Sequence, residues 1–99
     1  MHQPEIDRLV SVLRDMPVRS AVLFGSHAKG KASPQSDIDL VVQVDEPLKG
    51  IRFYELLDRL TAVTGADIDL FEAGDIIPGS PMAREIQSTG RLIYDRENG

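Results

Sequence analysis

The stretch Asp37-Ile38-Asp39-Leu40-Val41-Val42-Gln43-Val44 decides the fold. Its even positions, Ile38, Leu40, Val42 and Val44, are all apolar, while its odd positions open with Asp37 and Asp39. Side chains alternate across a strand, so this spacing predicts a strand over 37–44. One face belongs to a core, and the other carries two carboxylates at its beginning. Asp45-Glu46-Pro47 then ends the strand.

Upstream, residues 18–24 hold the continuous apolar run Ala21-Val22-Leu23-Phe24, the pattern of a buried strand, and Gly25-Ser26 breaks it. The ten residues 27–36 are small or polar and carry Gly30 and Pro34, which reads as a loop or a short helical turn. Downstream, residues 66–72 repeat the two-faced pattern, with Asp67 and Asp69 on one side and Ile68 and Leu70 on the other. A short last strand is expected over 91–94.

Helices fill the intervals. Ile6, Leu9, Val10, Leu13 and Met16 form an apolar stripe, with Pro4 suited to a first turn and Pro17 as the stop. Residues 50–64 carry a second stripe, Phe53, Leu56, Leu57, Leu60 and Val63, closed by Gly65. Ser80-Pro81 reads as an N-cap and first-turn proline for a short helix that ends at Gly90. The resulting expectation is an α/β (α+β) domain: a mixed sheet of about four strands with helices packed on it.

Ninety-nine residues with 41% hydrophobic content suit one folded domain, expected over 1–95, with 96–99 as a polar tail. Eleven basic against sixteen acidic residues leave a formal charge of −5, which argues against a broad grip on nucleic acid through its phosphates. The chain has no cysteine, so disulfides and thiolate metal sites are excluded. No apolar run approaches the ~20 residues of a membrane span, and residues 1–8 lack the apolar core of a signal peptide. A soluble cytoplasmic protein is expected.

The chemistry-bearing residues follow from the strands. Carboxylates two residues apart on one strand point the same way with Cα atoms about 6.5–7 Å apart, a spacing that suits one Mg²⁺ or a pair. A third carboxylate, from the strand bearing Asp69 beside Asp67, would complete a second metal's shell. Gly25 permits close backbone approach to a phosphate, Ser26 offers an N–H and a hydroxyl, and Lys29 and Lys31 offset triphosphate charge.

Gly25-Ser26, ten residues, then Asp37-Ile38-Asp39 within the stretch 23–42 resembles the signature of the DNA polymerase β-like nucleotidyltransferases, in its minimal nucleotidyltransferase (MNT) form. Ile68-Asp69-Leu70-Phe71 is similar to that family's third-carboxylate strand, and residues 83–94 resemble its closing helix and strand. The resemblance implies a polymerase β palm-like fold and Mg²⁺-dependent transfer of a nucleotide, AMP from ATP, with release of pyrophosphate. It implies Asp37, Asp39 and Asp69 as catalytic metal ligands for two Mg²⁺, and Gly25, Ser26, Lys29 and Ser36 as the nucleotide and phosphate contacts. Family members often carry Arg where this chain has His27 or Lys29, and an ammonium meets phosphate as a point charge, without the bidentate fork of a guanidinium.

The resemblance further implies a HEPN-domain partner whose tyrosine accepts the AMP, the chain acting as antitoxin of a toxin–antitoxin pair. A chain of this length holds a catalytic core and no acceptor-binding lobe, which also points to a partner; a homo-oligomer is a further expectation. Two other functions fit the residues: a module that neutralises its partner by contact alone, and transfer to a small molecule or nucleic acid presented by another subunit. Asp67 reads as solvated or supporting. Phe53, Tyr54, Phe71 and Tyr94 read as packing residues, and His2, His27, Lys49 and Arg52 as solvated.

Overall fold

The computed structural model describes residues 3–25, 37–48 and 50–97. The chain runs α1 (Gln3–Arg14), β1 (Val18–Phe24), β2 (Ile38–Val44), α2 (Ile51–Thr64), β3 (Ile68–Glu72), a 3-10 turn (Ala73–Asp75), α3 (Pro81–Thr89) and β4 (Arg91–Asp95). The sheet order is β3-β2-β1-β4. β1 pairs antiparallel with β2 and β4, and β2 pairs parallel with β3 across the α2 crossover. This is the mixed four-stranded sheet that the residue patterns imply.

Register sorts the side chains into two faces, because directly paired residues point to the same side. Leu23↔Leu40, Ala21↔Val42, Ala21↔Tyr94, Ile38↔Ile68 and Leu40↔Leu70 share one face. Every one of them is buried in a core with Leu9, Leu13, Leu56 and Leu60 of α1 and α2. Burying each of the Leu, Ile and Val side chains among them contributes about 1.5–3 kcal/mol, so this face is a main source of the driving force for folding. A register shift between Val18 and Ser20 turns Val18 onto the same face, where it is fully buried.

The helix stripes differ slightly from their expected membership. In α1 the buried set is Ile6, Leu9, Val12 and Leu13, with Val10 and Met16 only partly buried at its edge. In α2 Leu56 and Leu60 are fully buried, and Phe53, Leu57 and Val63 flank them. Gly65 ends α2 in the left-handed region (φ 67°), its N–H donating to the Thr61 carbonyl at 2.8 Å. At the start of α3 the Ser80 hydroxyl accepts from the Ala83 N–H at 3.2 Å, and Pro81 occupies the first turn.

The other face pairs Phe24↔Asp39, Val22↔Val41, Asp39↔Asp69 and Val41↔Phe71. It is less open than the alternation of residues 37–43 implies: Val41 is buried, and the rings of Phe24 and Phe71 pack at a centroid distance of 6.1 Å. A cavity of about 310 Å³ separates its middle from α3 and the 3-10 turn, lined among others by Val22, Val41, Ile76 and Ile86. Beyond β4, Arg96 donates a forked pair of hydrogen bonds to Asp45 at 2.6 and 2.8 Å. That bond holds the Asp45 carboxyl below its ordinary value. Among the described residues no helix is long and apolar enough to cross a membrane.

Candidate active site

Parallel pairing of β2 with β3 sets Asp39 directly opposite Asp69, and the Ile38 N–H donates to the Asp67 carbonyl at 2.9 Å to start the ladder. Asp39 is half-buried, whereas Asp37, Asp67 and Asp69 are exposed. Burial, then the charge of Asp69 and a hydrogen bond to it, then Glu85 and Asp37, push the Asp39 carboxyl up to about 6. The causes are desolvation and like charge, so a cation placed between these groups would relieve both.

Gly25 closes the site from β1. It is buried, with φ of +74°, and a Cβ built on it would stand 2.5 Å from Asp39 Oδ2 and 3.2 Å from Glu85 Oε1. Only glycine meets both demands: the backbone conformation excludes most side chains, and the carboxylate occupies the space a side chain would need. The Gly25 N–H donates to the Thr89 hydroxyl at 3.0 Å, and that hydroxyl donates to the Glu85 carbonyl at 2.7 Å.

Gly25, Asp39 and Asp69 are therefore brought together, with Asp37 at the mouth of β2. Ser26, Lys29 and Ser36, and with them His27 and Lys31, lie outside the described residues. Among the described residues no three acidic or histidine side chains already stand at metal-binding separation. The hard oxygen donors of Asp39 and Asp69, crowded against one another, nevertheless fit a divalent ion such as Mg²⁺ in kind. A surface hollow of about 650 Å³, lined by Gly50, Ile51, Tyr54, Glu55, Asp58 and Arg59, sits on α2 in the helical layer, away from these carboxylates. Tyr94 is buried, in keeping with a packing role.

The residue reading missed Glu85 and Thr89. In the sequence they belong to the closing helix, with a four-residue spacing that puts them on one helical face just before Gly90. What places them at the site is the pairing of β4 with β1, which no local pattern reveals.

The sequence matches the family described as "Polymerase beta, Nucleotidyltransferase" over residues 7–99. It is similar to the protein adenylyltransferase MntA of Shewanella oneidensis, 32% identical over 96 residues covering 95% of this chain and 68% of that one. It is also similar to a candidate protein adenylyltransferase of Methanocaldococcus jannaschii, 37% identical over 59 residues that span 60% of each chain. Among solved structures, a toxin–antitoxin crystal structure with AMP-PNP superposes with a TM-score of 0.78 at 23% identity, covering 94% of this chain and 75% of that one. A candidate minimal nucleotidyltransferase superposes at 0.71 and 23% identity, covering 90% and 89%. At such identities the superpositions establish the fold, while the sequence matches establish descent. By its signature, its carboxylate-bearing strands and these relatives, the chain is a nucleotidyltransferase domain and belongs to the polymerase β nucleotidyltransferase family.

Proposed function

We propose that this chain transfers AMP from ATP to a hydroxyl group on a partner protein of the HEPN type, and so acts as an antitoxin. The observation that carries the reading is the facing pair Asp39 and Asp69 beside the Gly25 turn. It is supported by the adenylyltransferase name of the relatives and by a superposed Shewanella oneidensis complex of an AMPylated HEPN toxin with an MNT antitoxin (TM-score 0.74, 22% identity, covering 99% of this chain and 76% of that one).

In this reading the acceptor oxygen attacks the α-phosphorus, the bond from that phosphorus to the α,β-bridging oxygen breaks, pyrophosphate leaves and the acceptor's proton is released. Asp37, Asp39 and Asp69 are the residues that would hold Mg²⁺. When bound, the ion offsets triphosphate charge and polarises the phosphoryl group under attack. Gly25 lets the backbone come close to the phosphates, with Ser26, Ser36 and Lys29 as further contacts. Asp67, exposed just before β3, is left as a solvated or supporting residue. ATP is the nucleotide in this proposal, and the cytoplasm, where ATP and Mg²⁺ are plentiful, is the compartment.

The test incubates the chain with α-labelled ATP, Mg²⁺ and the protein encoded beside it. Label is expected on the partner with wild type, and a loss of at least about 100-fold with Asp39→Asn, the scale on which misplacing a reacting group acts. Equal labelling by the variant would sink the proposal. An Asp39→Asn chain that still neutralises its partner fully would favour inhibition by contact alone.

A further inference from the structure

We infer that Thr89 is a positioning residue of the nucleotide site, its hydroxyl setting the place of the Gly25 turn relative to the carboxylates. The inference rests on the nucleotidyl-transfer reading above. The β1–β4 ladder ends at Leu23↔Arg91, so it offers no strand partner to the Gly25 N–H. Gly25 is buried, and an unpaired buried amide is costly. The Thr89 hydroxyl supplies the missing acceptor at 3.0 Å.

The amide N–H can only donate, and a second bond leaves the Thr89 oxygen free to accept it. Thr89 spends its only hydroxyl proton on the Glu85 carbonyl, four residues back in α3, at 2.7 Å. Its oxygen therefore faces Gly25 purely as an acceptor. The helix itself is pressed against β1 at this point. The Gly90 N–H donates to the Ile86 carbonyl at 2.7 Å, and a Cβ on Gly90 would meet that same carbonyl and stand 3.0 Å from Val22 Cγ1. Thr89 is thus fixed in height and in orientation, and on its other side Gly25 has no room to retreat, because Asp39 Oδ2 fills the space over its Cα. One hydroxyl joins the closing helix to the Gly25 turn beside Asp39.

The test compares wild type, Thr89→Val and Thr89→Ser. Valine keeps the shape and removes the acceptor, and serine restores the acceptor. Hydrogen exchange at the Gly25 amide is expected to be slow in wild type, faster in Thr89→Val and slow again in Thr89→Ser. Affinity for AMP-PNP with Mg²⁺ is expected to weaken about fivefold to tenfold in Thr89→Val, the factor a lost hydrogen bond commonly carries, and to recover with serine. Unprotected exchange of Gly25 in wild type overturns the inference whether or not Thr89→Val folds. Wild-type affinity in a folded Thr89→Val, or failure of serine to restore it, overturns the inference and leaves nucleotidyl transfer standing. A wild-type chain that binds no nucleotide overturns the transfer reading and the inference with it.

Discussion

Asp39 carries opposite consequences for stability and for chemistry. Its carboxyl sits at about 6 against an ordinary 3.8, through burial first and the neighbouring Asp69 next. The folded chain therefore holds this proton more tightly than the unfolded chain. The stabilisation linked to it is complete below the unfolded value and is lost as pH rises through about 6. Asp45 runs the other way: its depressed value contributes stability at higher pH that is lost only as pH falls below the ordinary carboxylate range. The two windows do not overlap: Asp39 acts between the ordinary carboxylate value and about 6, Asp45 below that range. In chelator, Asp39→Asn is expected to raise the urea midpoint more at about pH 7 than at about pH 4.5, flattening the pH dependence. An unchanged slope would show that the carboxylate is not strained by its neighbours.

At the scale of elements, glycines mark where the chain turns, and they do so for different reasons. Gly65 needs only its φ of +67°, since nothing lies within 4 Å of where a Cβ would stand. Gly65→Ala is therefore expected to cost about 1 kcal/mol, the price of forcing a side chain into the left-handed region, read from urea denaturation without loss of nucleotide binding. Gly25 has the same kind of φ and in addition no space. The Gly65 cap was legible in the sequence because it follows an apolar stripe at helical spacing. The Ser80-Pro81 start was legible for a similar local reason. Strand β1 was legible in extent, yet the register shift that turns Val18 inward was not, because it depends on the partner strand.

At the scale of the whole molecule, the sheet divides labour between its faces. The face toward α1 and α2 is largely apolar, with Glu72 at the end of β3 as an exception, and holds the core, while the opposite face carries Asp39, Asp69 and the Gly25 turn at one end. Leu60, fully buried on the core side, is a direct probe of that division. Leu60→Ala is expected to cost about 2–5 kcal/mol of stability, measured by urea denaturation. The folded fraction should keep its affinity for AMP-PNP with Mg²⁺ within about twofold, since Leu60 lies in the core on the opposite side of the sheet from the carboxylates. A parallel loss of affinity would mean that core packing sets the carboxylate geometry.

Sequence alone determined where the main elements run and which residues are candidates for the site. Alternation over 37–44 and 66–72 reports which residues share a strand face, and Gly25-Ser26 spaced ten residues from Asp37 marks the turn, because these are properties of neighbours along the chain. Only the tertiary structure decided which strands adjoin. The parallel pairing that sets Asp39 against Asp69, and the β1–β4 pairing that delivers Glu85 and Thr89 to Gly25, are contacts between distant segments. They are selected by burial of the whole apolar face at once, which no single stretch of residues encodes.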